Sequence, residues 1–165
     1  MRLVAVVLAA TVLAVAASAA AAPPRAGLFV PGVSLGGLRL GMTPAQVRRA
    51  WGTGYGVCRN CSDRTWYFNY RRFKPQGAGV LFRKGRVVAI FTHWAPPGWH
   101  TPGRVAIGAP AAVVSQRYDA LPPTNCTSYQ VINVIRLNTI NAFYVVNDKI
   151  WGFGLTTAAI APCLP

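Results

Sequence analysis

A short helix motif that occurs twice constrains the fold of this chain more than any other feature. Residues 41–52 read G-M-T-P-A-Q-V-R-R-A-W-G, in which Thr43 and Gln46 form a T-x-x-Q capping box before a proline-led helix. Sixty-seven positions later the chain reads G-A-P-A-A-V-V-S-Q-R-Y-D, with Gly108 in the place of Gly41. The preceding residues also match, since L-R-L-G leads into the first motif and V-A-I-G into the second. The recurrence predicts two similar units in tandem.

Each helix motif precedes a region with the composition of antiparallel β-strands. Aromatic and β-branched residues alternate with polar ones, and turn residues separate the runs. The predicted strands are 65–70, 79–82 and 86–92 in the first region and 129–137, 140–146 and 149–156 in the second. A helix with one apolar stripe and a sheet with one apolar face must cover each other. The sequence therefore predicts an α+β fold, a tandem duplicated unit of one helix packed on an antiparallel sheet of about three strands.

The composition divides the chain into five segments. Residues 1–22 carry one arginine, a run of Ala, Val and Leu and a tail of small residues, which is typical of a secretory signal peptide. A retained membrane anchor is the alternative for this segment, and no later run is long enough to span a bilayer. We expect a secreted or cell-envelope protein. The remaining segments are an N-terminal arm at 23–37, a first unit at 38–92, a Pro/Gly-rich connector at 93–103 and a second unit at 104–165.

The charge of the chain is strongly positive and unevenly distributed. There is no glutamate, and removal of the signal peptide would leave 16 basic residues against 3 aspartates. Twelve of the basic residues lie in 25–86, where Asp63 is the single acid. A GC-rich genome would favour arginine, but it does not explain the missing acids. A field of one sign predicts attraction to an anionic partner.

The four cysteines are expected to form two disulfides in an exported chain. Of the three possible pairings, we favour Cys58 with Cys61 and Cys126 with Cys163, while the other two cross-link the units. The Cys126–Cys163 bridge, which closes the longer loop, would then stabilise the fold by about 3–4 kcal/mol. Alternatively, C-R-N-C is a redox-active dithiol whose pKa the neighbouring arginines lower. A zinc site would need a second C-x-x-C, so we expect no metal.

The residue types for catalysis are scarce. The three aspartates are far apart, and no G-x-S-x-G motif is present. His93 and His100 flank two tryptophans in the connector, and no neighbouring carboxylate is available to orient either histidine. We interpret them as polar loop residues. The sequence therefore predicts a protein that is not an enzyme and binds no cofactor.

The candidate binding surface combines basic side chains with the connector tryptophans. Trp94 and Trp99 are the expected exposed anchors, because a Pro/Gly-rich loop rarely buries both faces of an indole. Trp66, Phe68 and Tyr70 are expected to face the helix instead. An exported protein rarely meets nucleic acid, so the expected partners are proteins or anionic envelope components such as wall polymers and lipid head groups. The basic members of the predicted site are Arg71, Arg72, Lys74, Arg83, Lys84 and Arg86.

The chain resembles the beta-lactamase-inhibitor-protein-like fold and the related repeat of the small outer-membrane barrel-assembly lipoprotein (SmpA/OmlA type). Three stretches carry the resemblance: L-R-L-G-M-T-P-A-Q-V-R-R-A-W-G, T-W-Y-F, and V-L-F-R-K-G-R-V-V-A-I. It covers nearly all of 38–156. The resemblance implies tandem helix-plus-sheet repeats that form a concave sheet, and protein binding through the sheet face and loops.

These observations lead to one main hypothesis and two alternatives. The main hypothesis is a secreted, non-catalytic interaction module that binds a protein or cell-envelope partner through its sheet face and the loops 52–63 and 93–103. The first alternative is a thiol–disulfide oxidoreductase that uses Cys58 and Cys61. The second is a basic binder of anionic envelope polymers, whose binding would weaken steeply with salt.

Overall fold

The computed structural model describes residues 27–69, 77–93, 98–161 and 163, and these contain ten strands and two helices. The signal segment 1–22 lies outside the described residues. In chain order the elements are β1 (Phe29–Val30), β2 (Ser34–Leu35), α1 (Pro44–Trp51), β3 (Gly56–Val57), β4 (Arg64–Asn69), β5 (Gly77–Arg83), β6 (Arg86–His93), α2 (Ala112–Arg117), β7 (Thr124–Asn125), β8 (Gln130–Arg136), β9 (Thr139–Val146) and β10 (Lys149–Thr157).

Eight of the strands form one antiparallel sheet with the order β3-β4-β5-β6-β10-β9-β8-β7. Strands β3 to β6 run from one edge to the centre, and β7 to β10 run from the other edge to the centre. There β10 pairs with β6, with Phe153 opposite Thr92 and Leu155 opposite Ile90. The remaining two strands, β1 and β2, form a separate hairpin. Both edge strands of the large sheet are two residues long, which leaves little edge for pairing with another chain.

The expected α+β fold is wrong, because the described chain is mostly β-structure. Helix α1 has eight residues and α2 has six, whereas β5, β6, β9 and β10 have seven to nine each. The expected tandem repeat of a helix on a three-stranded sheet is not borne out either, since the β6–β10 pairing merges the strands into one sheet. This pairing satisfies backbone groups that two separate small sheets would each leave unpaired at an edge.

Helix α1 begins as the sequence predicts, whereas α2 is shorter than its motif indicates. Thr43 Oγ1 accepts a hydrogen bond from Gln46 N at 3.3 Å, and Thr43 N donates to Gln46 Oε1 at 2.8 Å, which completes the capping box. The N-cap of α2 is Ala111, which offers no side-chain acceptor, so nothing extends that helix at its start. Within the described ranges, no helix has the length and apolar character needed to cross a membrane.

One face of the large sheet packs against both helices and the β1–β2 hairpin. Its core contains large rings: Trp51 meets Phe68 edge to face at a centroid distance of 5.3 Å, and Phe143 meets Phe153 in the same way at 5.7 Å. Trp51 Nε1 donates to the Gly36 carbonyl at 2.8 Å, which ties α1 to the N-terminal hairpin. Rings of this size supply most of the apolar area buried in a core of this kind.

Trp99 is fully buried, so its expected exposure as a binding anchor is wrong. The N-terminal segment lies directly against its ring because two positions are glycines. A Cβ at Gly27 would lie 2.7 Å from Trp99 Cζ3, and one at Gly36 would lie 2.8 Å from Trp99 Cη2. Phe29 N donates to the His100 carbonyl at 2.8 Å and holds the two segments together. A distant part of the chain therefore covers the indole.

The other face of the sheet, which we call the second face, carries a smaller apolar cluster to which neither helix contributes. Two strand glycines let aromatic rings lie close to the backbone. A Cβ at Gly79 would overlap the Phe91 ring, and one at Gly154 would overlap the Tyr144 side chain. Ile160, from the C-terminal segment, packs on the same cluster and is 5% exposed. The buried members are Leu81, Ala89, Phe91, Val131, Ala142, Tyr144 and Ile160.

The favoured disulfide pairing is confirmed. Cys58 and Cys61 are bonded in the connection between β3 and β4. Cys126 and Cys163 are bonded, and they attach the C-terminal segment to the start of the β7–β8 hairpin. The second bridge thus keeps Ile160 over the second face.

Replacement of Gly79 by alanine should destabilise the protein, because the new methyl group forces the Phe91 ring off the sheet. We expect a loss of about 1–3 kcal/mol in the free energy of unfolding, measured by urea denaturation. Gly56→Ala is the matched control, since a Cβ there has no heavy atom within 4 Å. Equal stabilities of G79A and G56A would contradict this account of the second face.

Loss of the Cys126–Cys163 bridge should cost more stability than loss of Cys58–Cys61. The bonded cysteines are separated by 37 and 3 positions respectively. From loop entropy we expect about 4 kcal/mol for C126A/C163A and about 2 kcal/mol for C58A/C61A. Thermal unfolding of both double variants measures the difference, and an equal or reversed order would show that the C-terminal segment is not held as described.

Candidate functional site

Four residues of the predicted binding site, Arg71, Arg72, Lys74 and Trp94, lie outside the described residues. The other three basic residues lie together at the β5–β6 turn. Their sequence R-K-G-R gives a two-residue turn in which Lys84 has φ of 47° and Gly85 of 70°, as this hairpin type requires. These three residues are Arg83, Lys84 and Arg86.

Two of these basic residues are already bonded within the fold. Arg83 donates to both carboxylate oxygens of Asp63, with Nη2 2.7 Å and Nε 2.9 Å from Oδ2 and Nε 3.0 Å from Oδ1. This hydrogen bonding lowers the pKa of the Asp63 carboxyl. Arg86 Nη1 donates to the Gly41 carbonyl at 3.3 Å. Fewer basic side chains of this hairpin are therefore free to bind an anionic partner than its sequence indicates.

His93 lies in a ring cluster at the end of β6, not in a loop as we expected from the sequence. Its imidazole is nearly parallel to the Trp151 indole, with centroids 4.9 Å apart and an interplanar angle of 29°. The Tyr144 ring meets it edge-on at 4.9 Å, and the Phe91 ring lies 5.1 Å away. Strands β6, β9 and β10 therefore each contribute a ring that fixes the histidine on the second face.

Burial keeps the His93 imidazole neutral. Removal from water lowers its pKa from 6.5 to about 4, because the protonated ring loses its hydration and gains no counter-charge. In the part of the chain that the structure describes, His93 Nε2 has no hydrogen-bond partner. At neutral pH the ring is an uncharged polar group among apolar ones, and its unpartnered Nε2 is itself out of contact with solvent.

A cavity of about 290 Å³ opens beside this imidazole, and we call it the His93 pocket. Its walls combine aromatic rings with three hydroxyl-bearing side chains, and its described lining includes no carboxylate. Aromatic walls with a few polar atoms are typical of sites that take one side chain or a small organic group. The lining residues are His93, Cys126, Thr127, Ser128, Tyr129, Trp151 and Cys163.

Tyr144 lies beneath the pocket and supports its rings. It is fully buried, and its hydroxyl has no hydrogen-bond partner among the described residues. Burial raises the pKa of this phenol well above its usual value, and the neighbouring Tyr129 adds to the effect. The phenol stays neutral, so the group facing His93 from β9 carries no charge.

A second cavity of about 390 Å³ adjoins the His93 pocket and shares Cys126, Ser128 and Tyr129 with it. It extends toward the β9–β10 turn at Asn147 and Asp148. The buried His93 imidazole lines only the first of these two cavities, so the His93 pocket has the more distinctive chemistry.

The sequence did not reveal this pocket because its lining residues lie between positions 93 and 163 and no motif links them. Tyr129 and Trp151 were recognised only as strand residues. The one local signal was alternation along the strands, which put Trp151 and Tyr144 on the face opposite to Ile150 and Phe143. Alternation alone does not show which face lacks a helix.

The C-R-N-C segment lies between two strands, whereas redox-active C-x-x-C pairs typically lie at a helix N-terminus. Cys58 N donates to the Thr65 carbonyl at 2.9 Å, so the bridge extends the β3–β4 pairing and lies at no helix N-terminus. Within the described ranges, no group of three or more His, Cys, Asp or Glu side chains is placed to hold a metal ion.

Comparison of the chain with protein-family models, with curated proteins and with solved structures finds no match.

Acidification should destabilise the protein through His93. The unfolded chain takes up a proton near pH 6.5, whereas folded His93 resists protonation down to about pH 4, so stability falls as the pH drops between these values. The facing phenol of Tyr144 stays neutral throughout. We expect a loss of about 2.5 kcal/mol from pH 7.5 to 4.5, measured by urea denaturation.

His93→Gln should remove most of this pH dependence, because the amide does not titrate. His100→Gln is the matched control, since His100 is exposed. An H93Q variant that keeps the full pH dependence would show that the buried imidazole is not its source.

Proposed function

We propose that this protein is an exported, non-catalytic interaction module whose second face receives a partner protein, with one partner side chain seated in the His93 pocket. The observation that carries the proposal is the pocket itself, an aromatic cavity with an unpartnered imidazole nitrogen on the sheet face that the helices leave uncovered. A buried aromatic pocket surrounded by less critical contacts is the usual form of an interface anchor site.

The dimensions and chemistry of the pocket indicate what it holds. A cavity of about 290 Å³ matches one aromatic side chain better than a large cofactor. Trp151 and Tyr129 offer apolar contact, and the exposed hydroxyls of Thr127 and Ser128 offer hydrogen bonds. A tyrosine of the partner satisfies both requirements, because its ring is apolar and its hydroxyl can pair with one of these hydroxyls.

The surroundings of His93 support binding over catalysis. A base with a pKa of about 4 is too weak to abstract protons efficiently at neutral pH. The described lining also holds no carboxylate that would orient the imidazole for acid–base work.

The cysteines support export and a structural role. Both disulfides are typical of proteins outside the reducing cytosol, in agreement with the signal peptide expected at 1–22. In the same proposal Cys58–Cys61 stabilises the β3–β4 connection and does not cycle between redox states.

A second candidate function is binding of an anionic envelope polymer. The described residues include 12 lysines and arginines against 3 aspartates, and only one salt bridge, Arg83–Asp63, forms among them. Most of the positive charge is therefore uncompensated and available to an anionic partner.

A pocket-blocking variant should separate these functions. Ser128 is exposed at the pocket, so Ser128→Arg fills the opening without altering the core, whereas Ser115→Arg makes the same change on the exposed side of α2. The immobilised oxidised protein is exposed to the source's envelope extract and culture medium and washed at low and high salt. We expect one protein to be retained stoichiometrically through the high-salt wash by wild type and S115R, and S128R to retain it about tenfold less.

The alternative outcomes are distinct. Equal retention by S128R and S115R would contradict the pocket proposal. Material that binds both variants and leaves with salt would support the polymer-binding function instead.

A further inference from the structure

We infer that Arg48 and Arg64 form a binding site for a phosphate group at the buried Trp66 ring. The inference rests on the second proposed function, because it names the place where an anionic polymer is recognised. Trp66 belongs to the core on the helix-covered face of the sheet, whereas the His93 pocket lies on the second face. The two sites are therefore separate.

The two arginines converge on one ring from different elements. The Arg48 guanidinium carbon lies 5.6 Å from the Trp66 ring centroid, and that of Arg64 lies 5.4 Å from it. Both distances fall within the roughly 6 Å range of a cation–π contact. Arg48 comes from the last turn of α1 and Arg64 from the first position of β4, and both residues are exposed. Two like charges therefore share one aromatic platform.

The platform is rigid. Trp66 is fully buried, the Tyr55 ring stacks on it at 3.9 Å with an interplanar angle of 13°, and Phe82 meets it at 4.7 Å. Because the indole is fixed by these rings, the surface that the two guanidinium groups contact does not have to be ordered by the ligand. Such preorganisation reduces the entropy that binding must overcome.

No protein carboxylate neutralises this pair within the described chain. Asp63 precedes Arg64 in sequence, but it accepts a bidentate hydrogen bond from Arg83, with its Oδ2 2.7 Å from Nη2 and 2.9 Å from Nε. The only salt bridge among the described residues is this one. An external anion is therefore the missing counter-charge.

The number of donors favours phosphate over carboxylate. One guanidinium fork uses one lone pair on each oxygen of a carboxylate, so a second arginine must share the same two oxygens. A phosphate group has further oxygens and accepts from both forks at once. Free phosphate, a phosphate-containing polymer and a phospholipid head group share this chemistry.

The test uses the oxidised protein and two probes. Inorganic phosphate is titrated by calorimetry at an ionic strength held constant with chloride, and phosphatidylglycerol vesicles are compared with phosphatidylcholine vesicles by co-sedimentation. The site variant is R48Q/R64Q. The matched control, R117Q/K149Q, loses the same charge at exposed positions away from Trp66. R48K/R64K keeps the positive charge but replaces each planar guanidinium by an ammonium group, which cannot donate two parallel hydrogen bonds.

We expect saturable binding of at least one probe by the wild type. R48Q/R64Q should weaken it about tenfold or more, because two charge-assisted interactions are lost. R117Q/K149Q should change it less than about twofold, because the exposed charges act only through a screened field. The affinity of R48K/R64K should lie between those of R48Q/R64Q and R117Q/K149Q. The probe that saturates identifies the source of the phosphate.

Unchanged affinity in R48Q/R64Q, or no saturable binding of either probe by the wild type, would overturn the inference. If R48Q/R64Q still retains envelope polymer in a salt-sensitive way, the proposed site is wrong and the polymer-binding function stands. If the wild type retains no polymer and binds no probe, both fail.

Discussion

The pairing of β6 with β10 is the interaction on which the rest of the structure depends. It joins four strands from each half of the chain into one sheet, with Phe153 opposite Thr92 at the centre. A single sheet has two extensive apolar faces, and two short helices cover only part of this area. The N-terminal hairpin therefore completes the cover of one face, and the other face is left to rings and the C-terminal segment.

The second face shows how a sheet without a helical cover still buries apolar surface. Gly79 and Gly154 leave room for the side chains of Phe91 and Tyr144 to lie against the backbone. The Cys126–Cys163 bridge then brings Ile160 onto these rings. The same arrangement desolvates His93, because its stacking partners exclude water and none of them carries charge.

The basic residues differ in whether the fold supplies them with a counter-charge. Residues 25–86 contain twelve basic residues and one acid, Asp63. The Asp63 carboxylate forms its salt bridge with Arg83. Arg48 and Arg64 are consequently left at the Trp66 ring without a protein counter-charge in the described chain. The proposed phosphate site would thus place two uncompensated charges at one ring, whereas the other basic residues contribute to a diffuse field.

The resemblance to the beta-lactamase-inhibitor-protein-like fold stays an expectation, because no comparison matched. We still propose binding through the sheet face, but through different residues. Trp99 is buried and cannot contact a partner, whereas Trp151, Tyr129 and His93 line a pocket on the second face. Sequence reasoning named His93 but assigned it to a loop. The residues next to His93 in sequence do not indicate that it is buried, because the rings that bury it come from β9 and β10.

The sequence by itself determined the features that depend on neighbouring residues. These are the capping box at Thr43 and Gln46, the hairpin turns at Lys84 and Asn147, and the strands that flank those turns. It also favoured the disulfide pairing that the structure contains. Each of these follows from backbone preferences or short-range chain geometry, which a few adjacent residues fix.

Only the tertiary structure decided which strands meet, which indoles are buried and where charge is left unpaired. The β6–β10 pairing joins residues about sixty positions apart, Gly27 and Gly36 cover a tryptophan far along the chain, and the His93 pocket closes with Cys163. These outcomes depend on the packing of surfaces from distant segments. Such surfaces come together only when the whole chain has folded, because their free energy comes from contacts that no short segment contains.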